Sequence, residues 1–81
     1  MGVASYTLIG SGTATLVAGN CGSEGRVVVY LDGKEVARAA KGETDKTVVV
    51  PYTRTSKLEV KDEGGDAVIK ISSFKVGSTL L

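Results

Sequence analysis

Apolar and polar residues alternate along much of this chain, with the period of two that marks half-buried β-strands. From Arg26 to Asp32, Val27, Val29 and Leu31 share one face, while Val28 and Tyr30 point the other way. No stretch has a helical period. Valine, threonine and isoleucine dominate the apolar segments, and glycines punctuate them. The pattern predicts seven strands, over residues 3–9, 12–18, 25–32, 34–40, 46–52, 56–62 and 66–76. Seven short strands separated by turns fit an all-β fold, a two-sheet antiparallel β-sandwich of jelly-roll-like type. A small barrel is the alternative.

Two turns carry the register. Gly64-Gly65 supplies the positive φ that a two-residue hairpin turn needs. Folding Leu58–Ile71 about it sets Glu63 opposite Asp66, Val60 opposite Ile69 and Leu58 opposite Ile71. Glu59 then faces Lys70 on the wet side, an opposite-charge pair. Asp32-Gly33 is the second hairpin signal and places Val29 opposite Val36; a wider loop over Asp32–Glu35 pairs Leu31 with Val36 instead. In the last strand Ile69 and Ile71 share one parity, and Phe74 and Val76 the other. Ser72-Ser73 is therefore expected to form a β-bulge that returns Phe74 to the core. Pro51 puts the fifth strand on a sheet edge or close to its own end. The expected core is Leu16, Val27, Val29, Leu31, Val36, Val48, Val50, Leu58, Val60, Ile69, Ile71 and Phe74.

Eighty-one residues allow one small domain, taken as 1–76 with a tail over 77–81. The net charge of +1 gives no broad attraction to nucleic acid or to an anionic surface. Lysines are scattered and matched by acids, without the basic, aromatic-rich stripe that single strands require, so nucleic acid is not an expected partner. The apolar runs are too short for a membrane span, and no signal peptide is visible. Met1-Gly2 begins like a myristoylation site, but Tyr6 stands where serine or threonine is wanted. Cys21 is the only cysteine and there is no histidine, so the chain alone builds neither an internal disulfide nor a Ser-His-Asp or Cys-His catalytic unit. No acid/base pair is evident, and an enzyme is not expected.

Antiparallel chain neighbours would place alternate loops at opposite ends of the sandwich. Loops 10–12, 32–33 and 52–56 then share one end, and loops 19–25, 40–46 and 62–66 the other. Six of the nine acidic residues fall at the second end: Glu24, Glu43, Asp45, Asp62, Glu63 and Asp66. Calcium takes six to eight oxygens from carboxylates and loop carbonyls, and Asp62, Asp66 and Glu24 are the candidate metal ligands. The competing view is a set of solvated loops balanced by Arg26, Lys41, Lys46 and Lys61. Gly10-Ser-Gly-Thr-Ala-Thr15 lacks the third small residue and the following helix of a phosphate loop. Asn20, beside Cys21 in a glycine-flanked turn, is a candidate ligand contact; Cys21 is read as a thiol packed inward, the alternative being an intermolecular disulfide or a reactive thiol with no visible activating base, and no catalytic role is expected of it. Among the few aromatic residues, Tyr30 and Tyr52 are the candidate sugar-stacking rings.

Val28-Val-Tyr-Leu-Asp-Gly-Lys-Glu-Val-Ala37 resembles a hairpin of small jelly-roll carbohydrate-binding modules. Val60–Ile69, running on to Ser73-Phe-Lys-Val76, is similar to their last hairpin. The nearest type is the compact calcium-dependent xylan-binding module, and the resemblance implies acidic ligands before the last strand, at Asp62 and Asp66. The chain departs from that pattern in lacking tryptophan and in having Ser72-Ser73 where an acid would stand. The resulting expectation is a non-catalytic carbohydrate-binding module of a larger extracellular protein, assisted by calcium and binding a polysaccharide or other glycan. The alternative is a structural or adhesive interaction module without a small-molecule ligand, associating with itself through an edge strand or Cys21.

Overall fold

The computed structural model describes residues 2–79. It is an all-β sandwich of two antiparallel sheets. The strands are β1 (Val3–Leu8), β2 (Gly12–Asn20), β3 (Arg26–Leu31), β4 (Lys34–Ala40), β5 (Lys46–Tyr52), β6 (Ser56–Glu63) and β7 (Ile69–Ser78). One sheet has the order β1-β6-β3-β4 and the other β5-β2-β7. Every connection except β3–β4 therefore carries the chain from one sheet to the other. No helix among the described residues is long and apolar enough to cross a membrane.

The alternation foreseen along each strand puts its apolar side between the sheets. Leu16, Val27, Val29, Val48, Val50, Leu58 and Val60 are buried there, joined by Leu8, Ala14, Ala18, Ala39 and Tyr52. Leu31, Ile69, Ile71 and Phe74 pack against this core while remaining partly exposed. Val36 does not: it is 43% exposed. The β3–β4 turn is the two-residue Asp32-Gly33 form, with φ of 49° and 82°. The register then slips between Tyr30 and Val29, so Val29 pairs with Ala37 and Val36 is the bulged residue. That bulge sends Ala37 inward in its place. Val28, expected to face outward, is fully buried. It lies opposite Lys61 on one side and Arg38 on the other, within the outer face of a central strand.

The largest correction concerns Leu58–Ile71. β6 and β7 do not pair; they belong to opposite sheets. Leu58 instead faces Tyr6 and Leu31, and Val60 faces Ala4 and Val29. Ile69 and Ile71 face Asn20 and Ala18. The expected pairs Glu63–Asp66, Val60–Ile69, Leu58–Ile71 and Glu59–Lys70 are thus absent. Gly64 and Gly65 both have positive φ, as a tight turn demands. The competing interaction is a loop packed on that turn. A Cβ on Gly25 would fall 1.6 Å from the Gly64 carbonyl oxygen, and one on Gly22 would fall 1.9 Å from that of Asp66. The turn is thereby held against residues 22–25, and the chain continues through Asp66–Val68 into the other sheet. Both faces were assigned correctly because a hairpin and a sheet crossing bury the same side of each strand.

The bulge near Ser72-Ser73 is present: Val17 faces Ser73 and Ala18 faces Ile71, leaving Ser72 as the extra residue. Phe74 returns to the interior. Pro51 lies in β5, an edge strand. β7 extends through Ser78, and the Thr79 amide donates to the Ser11 carbonyl at 2.9 Å, so most of the expected tail is tied to the fold. Residues 80–81 lie outside the described residues.

Candidate functional site

The two loop clusters form as the alternation predicts. At one end the Asp32 carboxylate accepts the Lys57 amide at 2.8 Å, and Thr55 Oγ1 accepts the Gly10 amide at 2.9 Å. The Lys57 hydrogen bond, ahead of other causes, lowers the Asp32 pKa below its ordinary value. At the other end, loop 22–25 lies on the glycine turn of residues 64–66.

The acids at that second end are distributed among protein partners. Asp62 Oδ1 accepts the Gly2 amide at 2.6 Å, and Asp66 Oδ2 accepts the Ser23 hydroxyl at 2.7 Å. Glu24 donates its amide to the Asp66 carbonyl, and its side chain lies against Gly65. Asp45 accepts from Lys70, which lowers its pKa, and Glu43 accepts the Ala40 amide. Asp66 and Glu24 therefore sit on touching segments, while Asp62 is on β6 beside a 310 Å³ hollow lined by Gly64, Gly65 and Ala67. Among the described residues no group of three or more histidine, cysteine, aspartate or glutamate side chains is arranged to hold a metal ion.

The structure gives Asn20 a task other than ligand contact. It is fully buried. Its Nδ2 donates to the Glu24 and Gly25 carbonyls at 3.1 and 3.2 Å, and its Oδ1 accepts the Gly22 and Val68 amides at 2.9 and 3.1 Å. These four bonds use the carboxamide's capacity. Asn20 joins the end of β2, loop 22–25 and the start of the crossing into β7. Cys21, beside it, does not pack inward as expected: it is exposed and unbridged, because its backbone amide, donating to the Val68 carbonyl at 3.0 Å, ties down the turn while the side chain stays at the surface.

Tyr30 is committed to a charged network on the outer face of the larger sheet. Its hydroxyl donates to Glu63, which raises the Tyr30 pKa, and Arg26 lies 3.4 Å from the same carboxylate. Lys61 Nζ sits 5.3 Å over the Tyr30 ring. Arg38 and Glu35 form a two-bond pair nearby, at 2.7 and 2.8 Å.

Tyr52 lies in a different setting. It closes β5 and is only 4% exposed. It forms part of a 310 Å³ groove between β1 and β7, together with Tyr6, Leu8, Ile9, Phe74 and Val76. Tyr6 and Phe74 stack across the seam between the sheets, with ring centroids 4.2 Å apart and planes at 16°. Both rings are half-buried, so ring surface remains available on the groove. The Tyr52 hydroxyl is buried without a protein hydrogen-bond partner. Gly12 makes room for it, since a Cβ there would stand 3.0 Å from that oxygen and 2.2 Å from the Gly77 carbonyl.

No protein-family model, curated protein or solved structure matches the chain.

The groove is thus the most coherent candidate site, and of the expected ligand residues it contains Tyr52 alone. Tyr6 was missed, although it shares the inward parity of Ala4 and Leu8 in a strand that the pattern marks clearly. Phe74 was foreseen only as core. Their meeting depends on β1 and β7 lying in opposite sheets, which a β6–β7 hairpin would have forbidden.

Proposed function

We propose that this chain is a non-catalytic carbohydrate-binding module of a larger extracellular protein, with the groove between β1 and β7 as its sugar seat. The observation that carries this reading is the half-buried Tyr6–Phe74 pair in a groove whose other lining is mainly apolar, with Thr7 and Ser78 among it. A pyranose ring offers an apolar C–H face to aromatic surface, and its hydroxyl rim seeks polar partners. Thr7 and Ser78 on the groove wall supply polar groups for that rim, while the Tyr52 hydroxyl lies buried beneath it. The groove is at the small end of ligand pockets, which span roughly 300–1,000 Å³, and suits one or two sugar residues rather than a long chain. Asp62, Asp66 and Glu24 are the residues through which calcium would assist, and titrating an array hit in calcium and in chelator checks that part of the reading.

A glycan array followed by titration of a hit tests the reading. Tyr6→Leu keeps an apolar wall and removes the ring; it should weaken binding about tenfold or more, equivalent to at least about 1.4 kcal/mol. Unchanged affinity in a folded Tyr6→Leu protein would remove the groove from consideration. A second reading, an interaction module without a small-molecule ligand, is favoured by a separate observation, the free edge of β1.

A further inference from the structure

We infer that β1 is a self-pairing edge, and that two copies of this chain join their larger sheets through antiparallel β1 strands about a two-fold axis. The direction of the free backbone groups follows from the pairing with β6. Val3 lies opposite Lys61, so Gly2 lies opposite Asp62, and the Asp62 amide donates to the Gly2 carbonyl. Gly2 is therefore a hydrogen-bonded position. Such positions alternate along an antiparallel pair, which turns Ala4, Tyr6 and Leu8 toward β6. Val3, Ser5 and Thr7 present their N–H and C=O groups to the outside.

Those outward groups fit a copy of themselves. With Ser5 opposite Ser5 of the second copy, Val3 meets Thr7 of the second copy and Thr7 meets Val3 of the second copy. Each is a pair exchanging N–H and C=O bonds, and facing side chains stay on the same face of the joined sheet. The strand carries no charge; the first charged residue of the chain is Glu24. No like charges are opposed, and Val3, now 53% exposed, packs beside a β-branched threonine.

The other edges are unsuited to this. β4 carries Lys34, Glu35 and Arg38 and the bulge at Val36. β5 carries Lys46 and Pro51, and β7 carries Lys70 and Lys75 with its own bulge. Charge, proline and bulges are the usual protections of an edge strand, and β1 has none of them. A self-complementary patch of this kind gives a closed isologous dimer rather than a filament.

Sedimentation equilibrium in a Cys21→Ser background tests the inference without interference from the exposed thiol. The chain should populate a dimer as concentration rises. Ser5→Pro removes an outward N–H at an edge, which the fold tolerates, and should leave a folded monomer. Ser5→Lys sets two like charges face to face on the axis and should do the same, so one variant remains informative if the other fails to fold. Ser5→Cys in that background should form a covalent dimer under mild oxidation, because Cα atoms of a hydrogen-bonded antiparallel pair are about 5.5 Å apart. A chain that stays monomeric at all concentrations overturns the inference. So does a dimer that persists in folded Ser5→Pro or Ser5→Lys.

Discussion

The two open flanks of the sandwich are built differently. On one flank β4 and β5 are the outer strands, and the gap is tied shut. Lys46 on β5 donates to the Arg38 carbonyl of β4 at 2.8 Å, and Pro51, the Val36 bulge and the Glu35–Arg38 pair guard the edges. Small residues, Ala18, Ala37 and Ala39, let the sheets close beneath them. On the other flank β1 and β7 are the outer strands. There the sheets part around Tyr6, Phe74 and Tyr52, a groove remains, Ile9 is 69% exposed, and β1 is bare. The same fold thus closes one side by charge and small side chains and leaves the other open through large rings. An open flank whose β1 edge carries no charge is a liability for solubility, and that combination directs both functional readings there.

The open flank exists only because β7 crosses into the second sheet, and Asn20 pins that crossing. Asn20→Leu keeps the volume but strands the Gly22 and Val68 amides and the Glu24 and Gly25 carbonyls. These groups are partly buried, so each one left without a partner costs at most about 1–3 kcal/mol, and the domain should unfold at clearly lower denaturant concentration. A near-native melt would show that the crossing, and with it the contrast between the flanks, has another cause.

Tyr52→Phe sharpens the contrast in the opposite direction. Removing a buried hydroxyl that has no protein partner should stabilise the fold by about 1–3 kcal/mol. For a domain this size that raises the melting temperature by about 4–8 °C per kcal/mol. A destabilised Tyr52→Phe would mean that the hydroxyl is hydrogen-bonded in solution.

Pro51→Thr tests the guarded flank. It restores an outward N–H to β5 and should increase concentration-dependent light scattering, with only a small change in melting temperature. If scattering is unchanged, Lys46 and the β4 charges guard that flank without the proline.

The smallest effect is electrostatic. Hydrogen bonds from Lys57, Arg38 and Lys70 lower the pKa values of Asp32, Glu35 and Asp45 respectively. A carboxylate with a lowered folded-state pKa adds stability above its unfolded pKa and loses it as pH falls through the folded value. Stability should therefore decline gently below the ordinary carboxylate range, and less so in Asp32→Asn. These groups are exposed, so the slope should be shallow and should flatten in salt. An acid-side melting profile identical in wild type and Asp32→Asn would remove Asp32 from this account.

Much of the fold was legible in the chain because strand alternation is a local property. Val27, Val29, Leu58 and Val60 declare their inward face to any neighbour, and the two loop ends follow from the antiparallel order of strands. Ser72-Ser73 betrayed a bulge because parity cannot change without an extra residue. Which strands pair was a different matter. Gly64-Gly65 permits a hairpin and also permits a sheet crossing, with the same φ values and the same buried faces. The choice rested on loop 22–25 packing against that turn and on four hydrogen bonds from Asn20, contacts far apart in sequence that leave no periodic trace. The candidate site shares that dependence. Tyr6, Tyr52 and Phe74 come from three strands in two sheets, and only the tertiary structure brings their rings to one flank.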